Sequence, residues 1–103
     1  MARKDRINMS RREYHICINL NDIFITKVVI DSHYEAKHNE SINDEIILNL
    51  VQRLDGKFFE AIDNKPPYCY FLTYVSLNNK RFKIIWLLEE DDVYIGIINV
   101  HRS

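Results

Sequence analysis

The chain has 103 residues and a mass of 12.4 kDa, enough for one domain with a buried core. It is 47% hydrophobic and 12% aromatic, with 2 Gly and 2 Pro, which excludes intrinsic disorder, collagen and low-complexity linkers. Net charge is -1, unevenly spread: residues 1–12 hold Arg3, Lys4, Arg6, Arg11 and Arg12 against Asp5, so a +4 segment precedes a -5 remainder.

That contrast predicts a basic, flexible arm over 1–12 and a single α+β domain over 13–103. Arginines in such an arm suit phosphate or RNA contact, so Arg11 and Arg12 are nucleic-acid-binding candidates. No apolar run is long enough for a transmembrane helix, and the polar first residues are not a signal peptide, so no membrane partner is expected. Cys17 and Cys69 lack a CxxC spacing. They read as small core residues in a reduced, cytoplasmic protein.

From Tyr14 the pattern is β-like. Ile16, Ile18 and Leu20 alternate with Cys17 and Asn19, Asn21-Asp22 suits a two-residue turn, and Ile23–Ile30 is rich in β-branched residues. This predicts a hairpin. The segment from Asp31 to His38 fits one or two helical turns. Ser41 and Asp44 match a capping box, and Ile42, Ile46, Ile47, Leu50, Val51 and Leu54 trace one helical face. The main helix is therefore expected over Ile42–Leu54, with Gly56 as its terminator.

Lys57–Ile62 reads as a short strand and Asp63–Pro67 as a loop. Tyr68–Leu77, Arg81–Leu88 and Val93–Arg102 then form a meander, joined by Asn78-Asn79 and by an exposed acidic turn at Glu89–Asp92. Ile84–Leu88 is apolar on both faces and should be central, covered on one side by the helix. Its other side calls for the N-terminal hairpin or a second copy of the chain. The expected fold is α+β, an antiparallel four- to five-stranded sheet with one main helix.

Phosphate-loop, dinucleotide, zinc-protease and hydrolase motifs are absent, and no metal-ligand set or cofactor is implied. The histidines offer other chemistry. On a helix His33 and Lys37 share a face, as do Tyr34 and His38. His and Lys are what metal-free RNA cleavage needs: one group takes the 2′-hydroxyl proton, another protonates the leaving oxygen, and a cation stabilises the phosphorane. His101 and Arg102 form a second pole and alternate across the last strand. The catalytic candidates are His33, Lys37, His38 and Arg102. Arg81 and Lys83 join Arg11 and Arg12 as nucleic-acid-binding candidates. Tyr68, Tyr70 and Tyr74 share a strand face that could stack single-stranded bases, pack a core or form a dimer surface.

The stretches SHYEAKH, SINDEIILNLVQRLDG and YIGIINVHR, in this order, resemble in layout the RelE/ParE superfamily and especially BrnT-like ribonuclease toxins. The resemblance spans Ile23 to Arg102. It implies a RelE-like fold and a metal-independent endoribonuclease of a toxin–antitoxin pair, acting on RNA and neutralised by an antitoxin protein. Two other readings come from the residues alone: a non-enzymatic dimeric interaction module, and a nucleic-acid-binding protein using the basic arm and the tyrosine face.

Overall fold

A computed structural model describes residues 11–31 and 42–103. Six strands and one helix follow in chain order: β1 (Arg11–Leu20), β2 (Ile23–Asp31), α1 (Asp44–Gln52), β3 (Asp63–Lys65), β4 (Tyr68–Leu77), β5 (Lys80–Glu89) and β6 (Tyr94–Arg102). The strands form a single sheet in the order β1-β2-β6-β5-β4-β3. All neighbours are antiparallel except β2 and β6.

The fold is α+β, with six strands and a mixed sheet in place of four or five antiparallel ones. The parallel pair follows from the connection. The chain leaves β2, passes through α1 to the far edge of the sheet, and returns as the β3–β6 meander, so β6 arrives alongside β2. Alternation within a strand cannot report which non-sequential strand it will meet.

The turns agree with their residue types. Asn21 and Asp22 both have positive φ, as do Asn78 and Asn79, which is the geometry a two-residue hairpin turn needs. Other boundaries move. Arg11 and Arg12, assigned to the arm by charge, are the first residues of β1, while residues 1–10 lie outside the described region. The helix caps on Asn43, whose side chain accepts from Ile46 N at 2.9 Å; Ser41 lies outside the described residues. Arg53 closes the helix, and Gly56, at φ 80, turns the chain so that its N–H donates to Asn19 O at 2.7 Å. Lys57–Ile62 is not a strand. Its Phe59 side chain packs on Trp86 and its backbone is held by Asn21, so tertiary contacts override its β-like composition. Asp63–Lys65, expected in a loop, pairs with Tyr68–Tyr70. Cys17 is exposed rather than in the core, and Cys69 is half-buried.

The core lies between α1 and one face of the sheet. Ile47, Leu50 and Val51 of the helix meet Ile18, Ile25, Val28, Ile30, Ile84, Ile95, Ile97 and Val100 of the strands. Trp86 sits fully buried in this layer. It stacks on Phe71 at 4.2 Å, meets Phe59 edge-on, and donates from Nε1 to Thr73 Oγ1 at 2.9 Å. The indole thus buries a large apolar area and still satisfies its one polar atom.

β5 is interior to the sheet, as its apolar run required, yet only one of its faces is sealed. Phe82, Ile84, Trp86 and Leu88 are buried, whereas Lys83, Ile85, Leu87 and Glu89 of the opposite face are partly exposed. The N-terminal hairpin extends the sheet sideways and does not cover that second face.

The Trp86–Thr73 bond gives a stability test. Thr73→Val keeps the volume but leaves the buried indole N–H unpaired, which costs about 1–3 kcal/mol. A melting temperature within a degree of wild type would show that the bond contributes nothing.

Candidate nucleic-acid interface

Strand register assigns each candidate residue to a face. Phe82 is buried under the helix and pairs with Arg102, so Arg102 is on the helix-covered side. There it lies 5.9 Å from the Phe82 ring and lines a small recess with Lys80 and Ile46. Lys83 is one residue further along and pairs with Tyr74 on β4 and with His101 on β6. These three side chains form a row across the open face, with the half-exposed Tyr74 at one end. Arg81 stands beside the row, its guanidinium 4.3 Å from the centre of the Tyr74 ring.

The next rows of this face are apolar. Leu72 pairs with Ile85, and Ile85 with Asn99, whose buried Oδ1 has no hydrogen-bond partner. Tyr70 pairs with Leu87, and Leu87 with Gly96. A Cβ at position 96 would meet Leu87 Cδ1 at 3.0 Å, so the glycine lets Leu87 lie flat across β6. Further on the face becomes self-compensated. Glu13 meets Arg11 and Lys27, each at 3.6 Å, and the Tyr94 hydroxyl donates to Glu89 at 2.7 Å. Burial, reinforced by the adjacent Glu89 carboxylate, holds the Tyr94 phenol far above its ordinary value, so it stays a neutral donor.

The open face thus grades from a cationic, aromatic end at Arg81, Tyr74, Lys83 and His101, through an apolar middle, to a polar end. A cation beside stacked aromatic and apolar surface can hold phosphate and base together. Among the described residues no three His, Cys, Asp or Glu side chains gather as metal ligands, and no helix is long and apolar enough to cross a membrane.

Of the sequence candidates, Arg81 and Lys83 come together here. Arg11 is on the same face at the far edge strand, beside Glu13. Arg12 points the other way, to the helix. Its Nε and Nη2 meet Asp44 at 2.5 and 2.8 Å, and the Tyr14 hydroxyl donates to the same carboxylate. Arg102 is separated from Lys83 by the sheet. His33, Lys37 and His38 lie outside the described residues. Two residues outside the assigned candidates join Arg81 and Lys83: Tyr74, which the sequence offered as a possible stacking surface, and His101, which it offered as part of a second pole with Arg102. A two-residue turn at Asn78-Asn79 implies the 74–83 pairing by itself, and the Arg81-x-Lys83 spacing implies a shared face. The β6 bulge that aligns Lys83 with His101 has no such signal.

Comparison of the chain with protein-family models, with curated proteins and with solved structures finds no match.

The Arg12–Asp44–Tyr14 cluster ties the start of α1 to β1. The Arg12 guanidinium, aided by the Tyr14 hydroxyl, holds the Asp44 carboxyl below its ordinary value against the opposing effect of burial. A lowered folded-state pKa stabilises above the unfolded value of about 3.9, and that stabilisation disappears as pH falls through the lowered pKa. The hydrogen bond to Asp44 raises the Tyr14 phenol, so its contribution is lost instead as pH rises past 10. Asp44→Asn should lower stability by about 1–2 kcal/mol near neutral pH, since the cluster is partly screened by solvent. Denaturant titrations at descending pH should show wild type and variant converging below about pH 3.9. An unchanged gap there would mean the loss is not electrostatic.

Proposed function

We propose that this protein acts on RNA and binds a single strand across the open face of its sheet. The observation that carries this reading is the row Tyr74–Lys83–His101, with Arg81 against the Tyr74 ring, on the face opposite the helix. Phosphates meet Arg81 and Lys83, and bases stack on Tyr74 and the half-buried Tyr70 and Leu72 beside it. The chain's overall charge is close to neutral, so binding rests on this local cluster and is strongly salt-dependent.

A second reading makes the same face an active site, that of a metal-independent endoribonuclease toxin held in check by an antitoxin. It is favoured by one specific feature: an imidazole, a lysine and a phenol in adjacent register positions. In such a site His101 takes the proton from a 2′-hydroxyl. The 2′-oxygen then attacks the adjacent phosphorus. Lys83 stabilises the charged phosphorane, and the 5′-oxygen leaves with a proton from Tyr74 or solvent. The products are a 2′,3′-cyclic phosphate and a 5′-hydroxyl. An antitoxin would act by covering this face.

Fluorescence anisotropy with labelled oligouridine tests the binding reading. Arg81→Ala and Lys83→Ala should each weaken binding and reduce the salt slope by about 0.7, the value for one phosphate contact on a single strand. Arg12→Lys, on the helix side, should leave it unchanged. Equal losses from all three would place the strand elsewhere. Incubation of an RNA ladder in excess chelator tests the second reading. Cleavage to cyclic-phosphate ends that falls by a factor of about 100 to 10,000 in His101→Ala supports it. Intact RNA with the wild-type protein leaves binding alone.

A further inference from the structure

Among the described residues, one edge of the sheet is uncovered along most of β4. β3 pairs only with Tyr68–Tyr70, and Ile62 N reaches Tyr70 O at 2.8 Å. Beyond Tyr70, no described strand lies beside β4. The direction of its backbone groups follows from the hairpin. Leu77 and Lys80 close the Asn78-Asn79 turn, so Phe71, Thr73, Val75 and Leu77 exchange their hydrogen bonds with β5. Leu72, Tyr74 and Ser76 therefore present N–H and C=O outward. Beside this edge runs an open groove of about 420 Å³ between Thr73–Ser76 and the residues that follow α1: Arg53, Leu54, Lys57 and Phe59.

We propose that this edge is a strand-addition site for an extended acidic segment of a partner protein. Three observations select that occupant. An unpaired row of alternating donors and acceptors is matched by a polypeptide in β conformation and not by a nucleic acid. The groove presents Arg53 and Lys57, and none of the residues lining it is acidic. Lys80 and Arg81, at the turn end of β4's partner strand, add two more cations near the same stretch. A second copy of this chain is disfavoured by the same charges. Two such edges paired about a two-fold axis would set Arg53 and Lys57 of one copy near those of the other. In the bound segment, alternate side chains enter the groove, where the half-buried Phe59 accepts apolar groups and the cations accept carboxylates. The remaining side chains reach the open face next to Tyr74 and Arg81. A segment seated here would compete with RNA for Arg81, so the edge is also a point of control over the proposed RNA face. The strand-addition proposal itself stands without that reading.

Amide hydrogen exchange followed by NMR tests it on the full chain without RNA. The probe is a synthetic peptide alternating Glu and Val, with a Lys-Val peptide as control. Exchange at Leu72, Tyr74 and Ser76 should slow by at least about tenfold with the Glu-Val peptide alone. Ser76→Pro removes an outward donor and no ladder bond to β5, and should weaken peptide binding about fivefold. Arg53→Glu should do the same through charge. The proposal is overturned by unchanged exchange at these amides, or by equal protection from the Lys-Val peptide or from oligouridine. It is equally overturned by concentration-dependent protection without peptide, which would mean self-pairing.

Discussion

A nine-residue helix is about 14 Å long, and six strands side by side span about 24 Å. One such helix can seal part of one face and none of the other. The rest of the described residues are arranged around that mismatch. The large apolar side chains of β4, β5 and β6 that face α1 are sealed around Trp86. Those on the other side are smaller in number, flanked by tyrosines and charges, and only half-buried. The face that the helix leaves open is the one whose composition suits a ligand.

The same constraint explains how charge is distributed. Arg12 and Arg102, on the covered side, are drawn to Asp44 and to the Phe82 ring. Arg81 and Lys83, two and four residues after Asn79, face outward on the open side. Alternation along β1, β5 and β6 thus divides a set of basic residues that looks uniform in sequence into structural and solvent-directed members. The Arg12–Asp44–Tyr14 cluster ties the start of the helix to β1 on the covered side.

Local structure was legible where local chemistry decides it. Asn21-Asp22 and Asn78-Asn79 adopt the positive φ that Asn and Asp tolerate, and the helix follows its apolar spacing to within two residues at each end. Pairing between distant strands was not legible. The β2–β6 parallel contact and the use of Lys57–Ile62 as packing rather than as a strand depend on tertiary contacts such as Phe59 on Trp86. The site was half legible. Arg81 and Lys83 stood out by residue type and spacing. Their alignment with His101 rests on a bulge between Ile85 and Trp86 and on one extra β6 residue, which no pattern announces. Arg102 was attractive as a terminal cation, but its parity puts it on the helix side.

In the proposed function the two faces of the sheet divide the work: one holds the fold together and the other meets RNA. Chemical-shift mapping of the labelled protein with a short oligouridine tests this most directly. The largest shifts should fall on Tyr70, Tyr74, Arg81, Lys83 and His101, with Ile47, Leu50 and Trp86 unmoved. Shifts centred on α1 and Arg102, or none at all, would contradict it.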